Sequence, residues 1–218
     1  DNVNYAELAD FFYVWLRLVL SCEDPRFAPE YCAKANEIVE NRNRGLDTHD
    51  FEKGLTEVLT RSAEKVGDNG MVVFTFHHAE GSSWESVLNS VCSAGMCIEA
   101  IYPVHSERDA SLHLQDKEAI AYDLIHVCRK RRLEDVAQPR SWAGLRQEVR
   151  RRAREEVERI EAGRYGNQPL PAPDVRMVLI GKCLEVYSRH YGAVLDWSGQ
   201  PLPLRSALQD IRMMVEQI

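Results

Sequence analysis

The twelve glycines form no GxG pair, so this sequence carries no glycine-rich cradle for a phosphate or a nucleotide cofactor. The six cysteines (Cys22, Cys32, Cys92, Cys97, Cys128 and Cys183) show no CxxC spacing, which removes the zinc-ribbon pattern and leaves no metal site to name. Most of them sit in apolar runs, where a thiol behaves as a small hydrophobe; a reduced, cytoplasmic protein is expected. No Ser-His-Asp or Cys-His arrangement stands out as a nucleophile. The apolar run at residues 11–20 is too short to span a bilayer and is interrupted by Arg17, so no membrane association is expected. There is no internal repeat and no low-complexity tract.

What is present is ordinary in bulk and uneven in charge. The 218 residues suffice for one domain or two small ones, and hydrophobic and charged fractions of 44% and 28% suit a globular chain. The net charge of -7 argues against a nucleic-acid coat. Residues 129–164, however, hold twelve Arg or Lys against seven Asp or Glu, so the negative charge lies elsewhere. The chain starts at Asp1 rather than Met, directly before a helix, a pattern expected of a piece of something longer.

Periodicity outlines an α/β protein. Asn4, with Glu7 as its capping-box partner, opens a helix over residues 4–22 whose wide apolar surface predicts packing on a sheet with little exposure. After Pro25 and Pro29 a short helix is expected over 31–39. Asp47 or Thr48 then caps a helix with Phe51, Leu55, Val58 and Leu59 on one face, stopped by Gly67 and Gly70. Residues 71–76 form a strand with an unbroken apolar core, as in a buried parallel position. Ser82 with Glu85 caps a helix that turns Trp84, Val87, Leu88, Val91 and Cys92 to the sheet and ends at Gly95. Strands at 98–104 and 122–128 follow, the first making a right-handed parallel crossover from 71–76. From Arg129 the character changes to a charged helix over 142–160, a breaker segment with Gly163, Gly166, Pro169, Pro171 and Pro173, and a helical module from Val175 onward. Tyr187, Tyr191 and Trp197 are expected to fill its core. The divisions predicted are 1–130, 131–170 and 171–218.

Functional groups in open α/β sheets collect at the carboxyl ends of strands. His77 and His78 end the strand at 71–76, and His105, Ser106 and Glu107 follow that at 98–104. The histidine pair can line a binding groove or serve as hydrogen-bonded scaffolding, and its spacing to His105 and His113 fits no ordinary zinc site. His105, Ser106 and Glu107 can cap a turn or shape the mouth of a cleft. The basic groups from Arg129 to Arg132 and from Arg150 to Arg154, with Arg129, Lys130, Arg131, Arg150, Arg151 and Arg152 foremost, can meet phosphates or lie on a solvated helix offset by nearby glutamates.

Four blocks, NVNYAELADFFYVWLR, FTFHH, YPVHSE and VLIGKCLEVYSRHYG, together resemble the C-terminal part of a large prokaryotic family of adenine-specific DNA methylases, some with a zinc ribbon. The likeness covers nearly the whole chain. It implies a Rossmann-like methyltransferase sheet in which 71–76, 98–104 and 122–128 are the fifth, sixth and seventh strands, the seventh antiparallel between the other two, with a helical C-terminal extension. It also implies S-adenosylmethionine as cofactor, DNA as substrate, methyl transfer to a base amine such as adenine N6, and a restriction-modification or defence setting. The family's Asp-Pro-Pro-Tyr loop would lie just before Asp1, which makes Asp1, Asn2, Asn4 and Tyr5, with His77 and His78, candidate base-pocket residues. That loop and the cofactor loop are not in this sequence. An upstream polypeptide or companion chain completing the sheet is therefore an implied partner, and activity of this chain alone is not expected. The reading from a different class is a non-catalytic DNA-binding or assembly module that uses the basic helix.

Overall fold

The computed structural model describes residues 5–35, 37–76, 81–105, 122–165 and 170–218. Its contacts divide the chain into two compact units, Asp1–Leu55 and Thr56–Ile218. The second unit takes in the sheet, the charged helix and the helices that follow it.

In the first unit, α1 (Tyr5–Leu20) is inverted relative to expectation. Its polar positions face a loop: Asp10 accepts from the Cys32 amide at 2.9 Å and pairs with Lys34, Tyr13 donates to the Pro29 carbonyl at 2.8 Å, and Arg17 donates to Ala28. The apolar positions Leu8, Phe11, Phe12, Trp15, Leu18 and Val19 are all exposed, and no described residue of α1 is buried. The helix expected at 31–39 does not form. Its backbone is diverted to side chains, the Cys32 amide to Asp10 and the Lys34 carbonyl to Arg44, before a helical ladder can start. Helix α2 (Thr48–Lys65) starts as expected, with Asp47 accepting from the amides of His49 and Asp50 at 2.9 and 3.1 Å.

The second unit is built on β1 (Val72–Thr75), β2 (Met96–His105) and β3 (Tyr122–Lys130), with α3 (Gly81–Ser93) between β1 and β2. The sheet order is β1-β3-β2. β3 is antiparallel to both neighbours, with Val73 opposite Val127 and Ile101 opposite His126, so β1 and β2 run in the same direction with β3 between them. This is mixed α/β architecture. β1 is an edge strand with Val73 exposed, rather than the buried strand with parallel neighbours that its apolar run predicts. Gly95, at φ +75°, turns the chain from α3 into β2.

One face of the sheet is dry. α3 lays Trp84, Val87, Leu88, Val91 and Cys92 into the core as its spacing predicts, together with Met96, Ile98, Ile101, Leu124 and Cys128 from the strands. The other face carries Val73 and Tyr102, both about half exposed, in register through Val127 and Ile125 of β3.

After β3 come α4 (Leu133–Val136), β4 (Arg140–Ser141), α5 (Trp142–Glu161), α6 (Ala172–Tyr187), β5 (Val194–Leu195) and α7 (Leu204–Val215). β4 and β5 pair in parallel and tie the start of α5 to the chain beyond α6. α5 buries Leu145, Val149, Ala153 and Glu156, a single stripe at i, i+4, i+8 and i+11. α6 is buried almost all round and packs against both α5 and β2. Tyr187 is in the core as expected, while Trp197 stands almost wholly in solvent on the turn before α7.

Candidate functional site

Because β1 and β2 share a direction and β3 opposes them, Phe76, His105 and Tyr122 lie at one end of the sheet. The Phe76 amide donates to the Leu124 carbonyl at 3.0 Å, continuing the ladder one residue past β1. At the end of β2 the exposed His105 ring meets the Tyr122 ring edge-on, with centroids 5.1 Å apart. Tyr122 is buried, and its backbone N–H donates to Asp174 Oδ1 of α6 at 2.9 Å. The end of the sheet is thus pinned to α6, leaving the His105 imidazole at the surface.

Behind this end lies an aromatic group centred on His126. Its ring stacks on Phe74 with centroids 5.0 Å apart and nearly coplanar, with Trp84 and Phe76 completing the surround. Nδ1 bonds to the Leu124 carbonyl at 3.0 Å, and Nε2 has no partner. Burial lowers the imidazole pKa to about 4, with the Leu124 carbonyl opposing the shift, so the ring is neutral at physiological pH.

Of the base-pocket candidates, Asp1, Asn2, Asn4, His77 and His78 lie outside the described residues, as do Ser106 and Glu107. The side chain of Ser82, the expected helix cap, is also outside them. Tyr5 opens α1 and is exposed. At the other end of β3, Arg129 donates to the Asn69 carbonyl at 2.6 Å and Lys130 pairs with Asp68 at 3.3 Å. Arg131 reaches the Cys92 carbonyl and lies over the Tyr191 ring, 5.6 Å from its centre. These three side chains fasten turns at the sheet end opposite His105.

The charged helix α5 divides its arginines sharply. Arg152 is a structural residue: it donates to Glu185 at 2.8 Å and to Glu156 at 3.3 Å. Burial works to lower the Arg152 pKa, and Glu185 with Glu156 and Glu155 outweighs it, leaving the guanidinium above its ordinary range. Arg146 joins Trp142 on Asp210, whose carboxyl stays below the usual range despite burial because both donate to it. Arg151 bonds Glu155 at 2.6 Å. No ion pair among the described residues involves Arg150 or Arg154. Both line an open recess with Gln147, Arg151, Glu155 and Glu158. Of the predicted phosphate contacts, Arg152 is engaged elsewhere, whereas Arg154 is exposed and lines the same recess as Arg150.

The sequence reading also passed over the polar row Asp174, Lys182, Glu185 and Ser188. Every one is buried. Ser188 Oγ accepts from the Ile98 amide at 2.9 Å, Glu185 accepts from the Ile101 amide at 2.7 Å, and Lys182 donates to the Ile101 carbonyl. The usable signal was a set of charged residues in a helix otherwise apolar on every side, since such a helix is buried and its charges must be paired.

No group of three or more His, Cys, Asp or Glu among the described residues is placed to hold a metal ion. Nor do they offer an S-adenosylmethionine cradle: Gly81 opens α3 with no other glycine within two residues of it in the sequence. All six cysteines are free thiols, and burial pushes those of Cys128 and Cys183 up to about 12, which makes them inert packing. No described helix is long and apolar enough to cross a membrane.

Comparison with known proteins gives no family model that matches this chain and no similar curated protein or solved structure.

Proposed function

We propose that this chain is part of a cytoplasmic, S-adenosylmethionine-dependent DNA methyltransferase that acts on a base amine, with adenine N6 as the target. The observation that carries the reading is the strand order: β3 runs antiparallel between two strands of common direction. That insertion is what the resemblance to the DNA methylases implies for their last three strands. The sheet's lopsided edges support the same reading. α6 side chains bond the backbone of β2, whereas the outer edge of β1 has no strand beside it among the described residues. An unpaired edge of Val and Phe with no charge or proline invites another strand, here one supplied by the upstream or companion polypeptide.

An exocyclic base amine is a poor nucleophile, because its lone pair is delocalised into the ring. It needs oxygen acceptors for its protons and an aromatic surface for the flipped base. This sequence lacks the Asp-Pro-Pro-Tyr group that provides them in the family, and its described residues do not fit the cofactor. The role left to this chain is to wall the base pocket, with His105 and Tyr122 at the sheet end, and to carry DNA contacts.

The test is reconstitution. Co-expression with a polypeptide bearing the family's cofactor loop and Asp-Pro-Pro-Tyr motif should give methyl transfer to DNA that neither chain gives alone. Calorimetry on the isolated chain should find no tight S-adenosylmethionine binding. Tight binding by this chain alone, or a stable pair that never methylates, would overturn the reading.

The second reading, a DNA-binding or assembly module without catalysis, is favoured by one observation: α5 keeps Arg150 and Arg154 out of ion pairs while its other arginines are engaged.

A further inference from the structure

Arg150 and Arg154 are one helical turn apart on α5 and line the same recess. At that separation their Cβ atoms stand about 5–6 Å apart, and two like charges so placed repel. Of the two carboxylates that line the recess, Glu155 is taken by Arg151, and Glu158 makes no ion pair with either arginine. Arg150 is half-buried, and its Nε is shielded from solvent without a hydrogen-bond acceptor. The guanidinium is therefore held against the helix with its charge uncompensated. An external anion would relieve both the repulsion and the missing acceptor.

We propose that Arg150 and Arg154 form a contact site for two neighbouring phosphates of duplex DNA, with Arg151 and Gln147 flanking it. The proposal rests on DNA being the substrate, and it narrows which arginines carry the contact. Phosphates recur about every 3.4 Å of helix axis along one strand, so two guanidinium groups a helical turn apart can meet neighbouring ones. Planar guanidinium groups suit phosphate oxygens because they donate two parallel N–H bonds. Glu158, one helical turn beyond Arg154, also lines the recess and would repel a phosphate placed past Arg154. Arg152 takes no part, since Glu185 and Glu156 hold it.

Fluorescence anisotropy of the full chain with a labelled duplex of mixed sequence, repeated over a range of salt concentrations, tests the site. The slope of log affinity against log salt should fall by about 1.8 in the R150Q/R154Q double variant, since each phosphate contributes about 0.9. R150K/R154K should restore most of that slope, and R205Q, a remote exposed arginine, should leave it unchanged. Circular dichroism melts confirm that the variants fold. An unchanged slope in R150Q/R154Q overturns the site while leaving the methyltransferase reading to its own reconstitution test. Absence of DNA binding by the unsubstituted chain at low salt also overturns it. So does displacement of the duplex by polyglutamate at equal charge, which would make the surface one for an acidic protein.

Discussion

At the residue scale, His126 has the most determinate consequence. A folded-state pKa lowered to about 4 means that the folded protein favours the neutral ring. As the pH falls below the ordinary value of 6.5, the unfolded chain takes up a proton that the folded chain refuses. The stabilisation is complete above 6.5, declines from there to about 4, and is then exhausted. It is worth about 3 kcal/mol over that window. Urea unfolding at a series of pH values should show that decline, and His126→Phe should flatten the part of the curve that belongs to this ring. A parallel decline in the variant would assign the effect to carboxylates instead. The sequence marks His126 only as one residue in a strand; its neutrality comes from Phe74, Trp84 and Phe76 closing around it, and these arrive from two other elements.

At the element scale, α6 closes the β2 edge with side chains in place of a neighbouring strand. Glu185 is the joint, accepting from the Ile101 amide, Lys182 and Arg152 together. Glu185→Ala would take one partner from the half-buried Arg152, remove the only carboxylate among the described residues paired with the buried Lys182 and leave the Ile101 amide without its acceptor, with an expected loss of about 3–5 kcal/mol by chemical denaturation. Glu185→Gln, which keeps the acceptor, should cost clearly less. The close approach of helix to strand also depends on Gly181, where an added Cβ would fall 2.9 Å from the Ile101 side chain. Gly181→Val should therefore destabilise by about 1–3 kcal/mol through overpacking, read as a lowered melting temperature. The strands are legible as short apolar runs, and α3 because it has one apolar face in a clean period. α1 misleads for a related reason: its apolar period is strong, yet its polar face has its own loop to bind, through Asp10, Tyr13 and Arg17.

At the scale of the whole molecule, exposed apolar surface sets the behaviour in solution. The stripe Leu8, Phe11, Phe12, Trp15, Leu18 and Val19 and the open edge of β1 are both surfaces that monomeric proteins usually cover. The isolated chain should associate with rising concentration. Light scattering on a variant carrying Phe11→Ser, Trp15→Ser and Leu18→Ser should show that association reduced, with the melting temperature little changed because none of the three is buried. Equal scattering by parent and variant would place the sticky surface elsewhere.

The sequence by itself determined the alternation of strand and helix, the helix cap at Asp47, and the stripe that α3 buries, because period and capping are read from neighbours along the chain. It also held, as a resemblance, the placing of β3 between β1 and β2. Tertiary structure alone decided which arginines stay unpaired, which histidine is neutral and which sheet edge is closed. Those depend on groups that meet across the fold, as Arg152 meets Glu185 and Ser188 meets the Ile98 amide, and a one-dimensional pattern does not contain such distances.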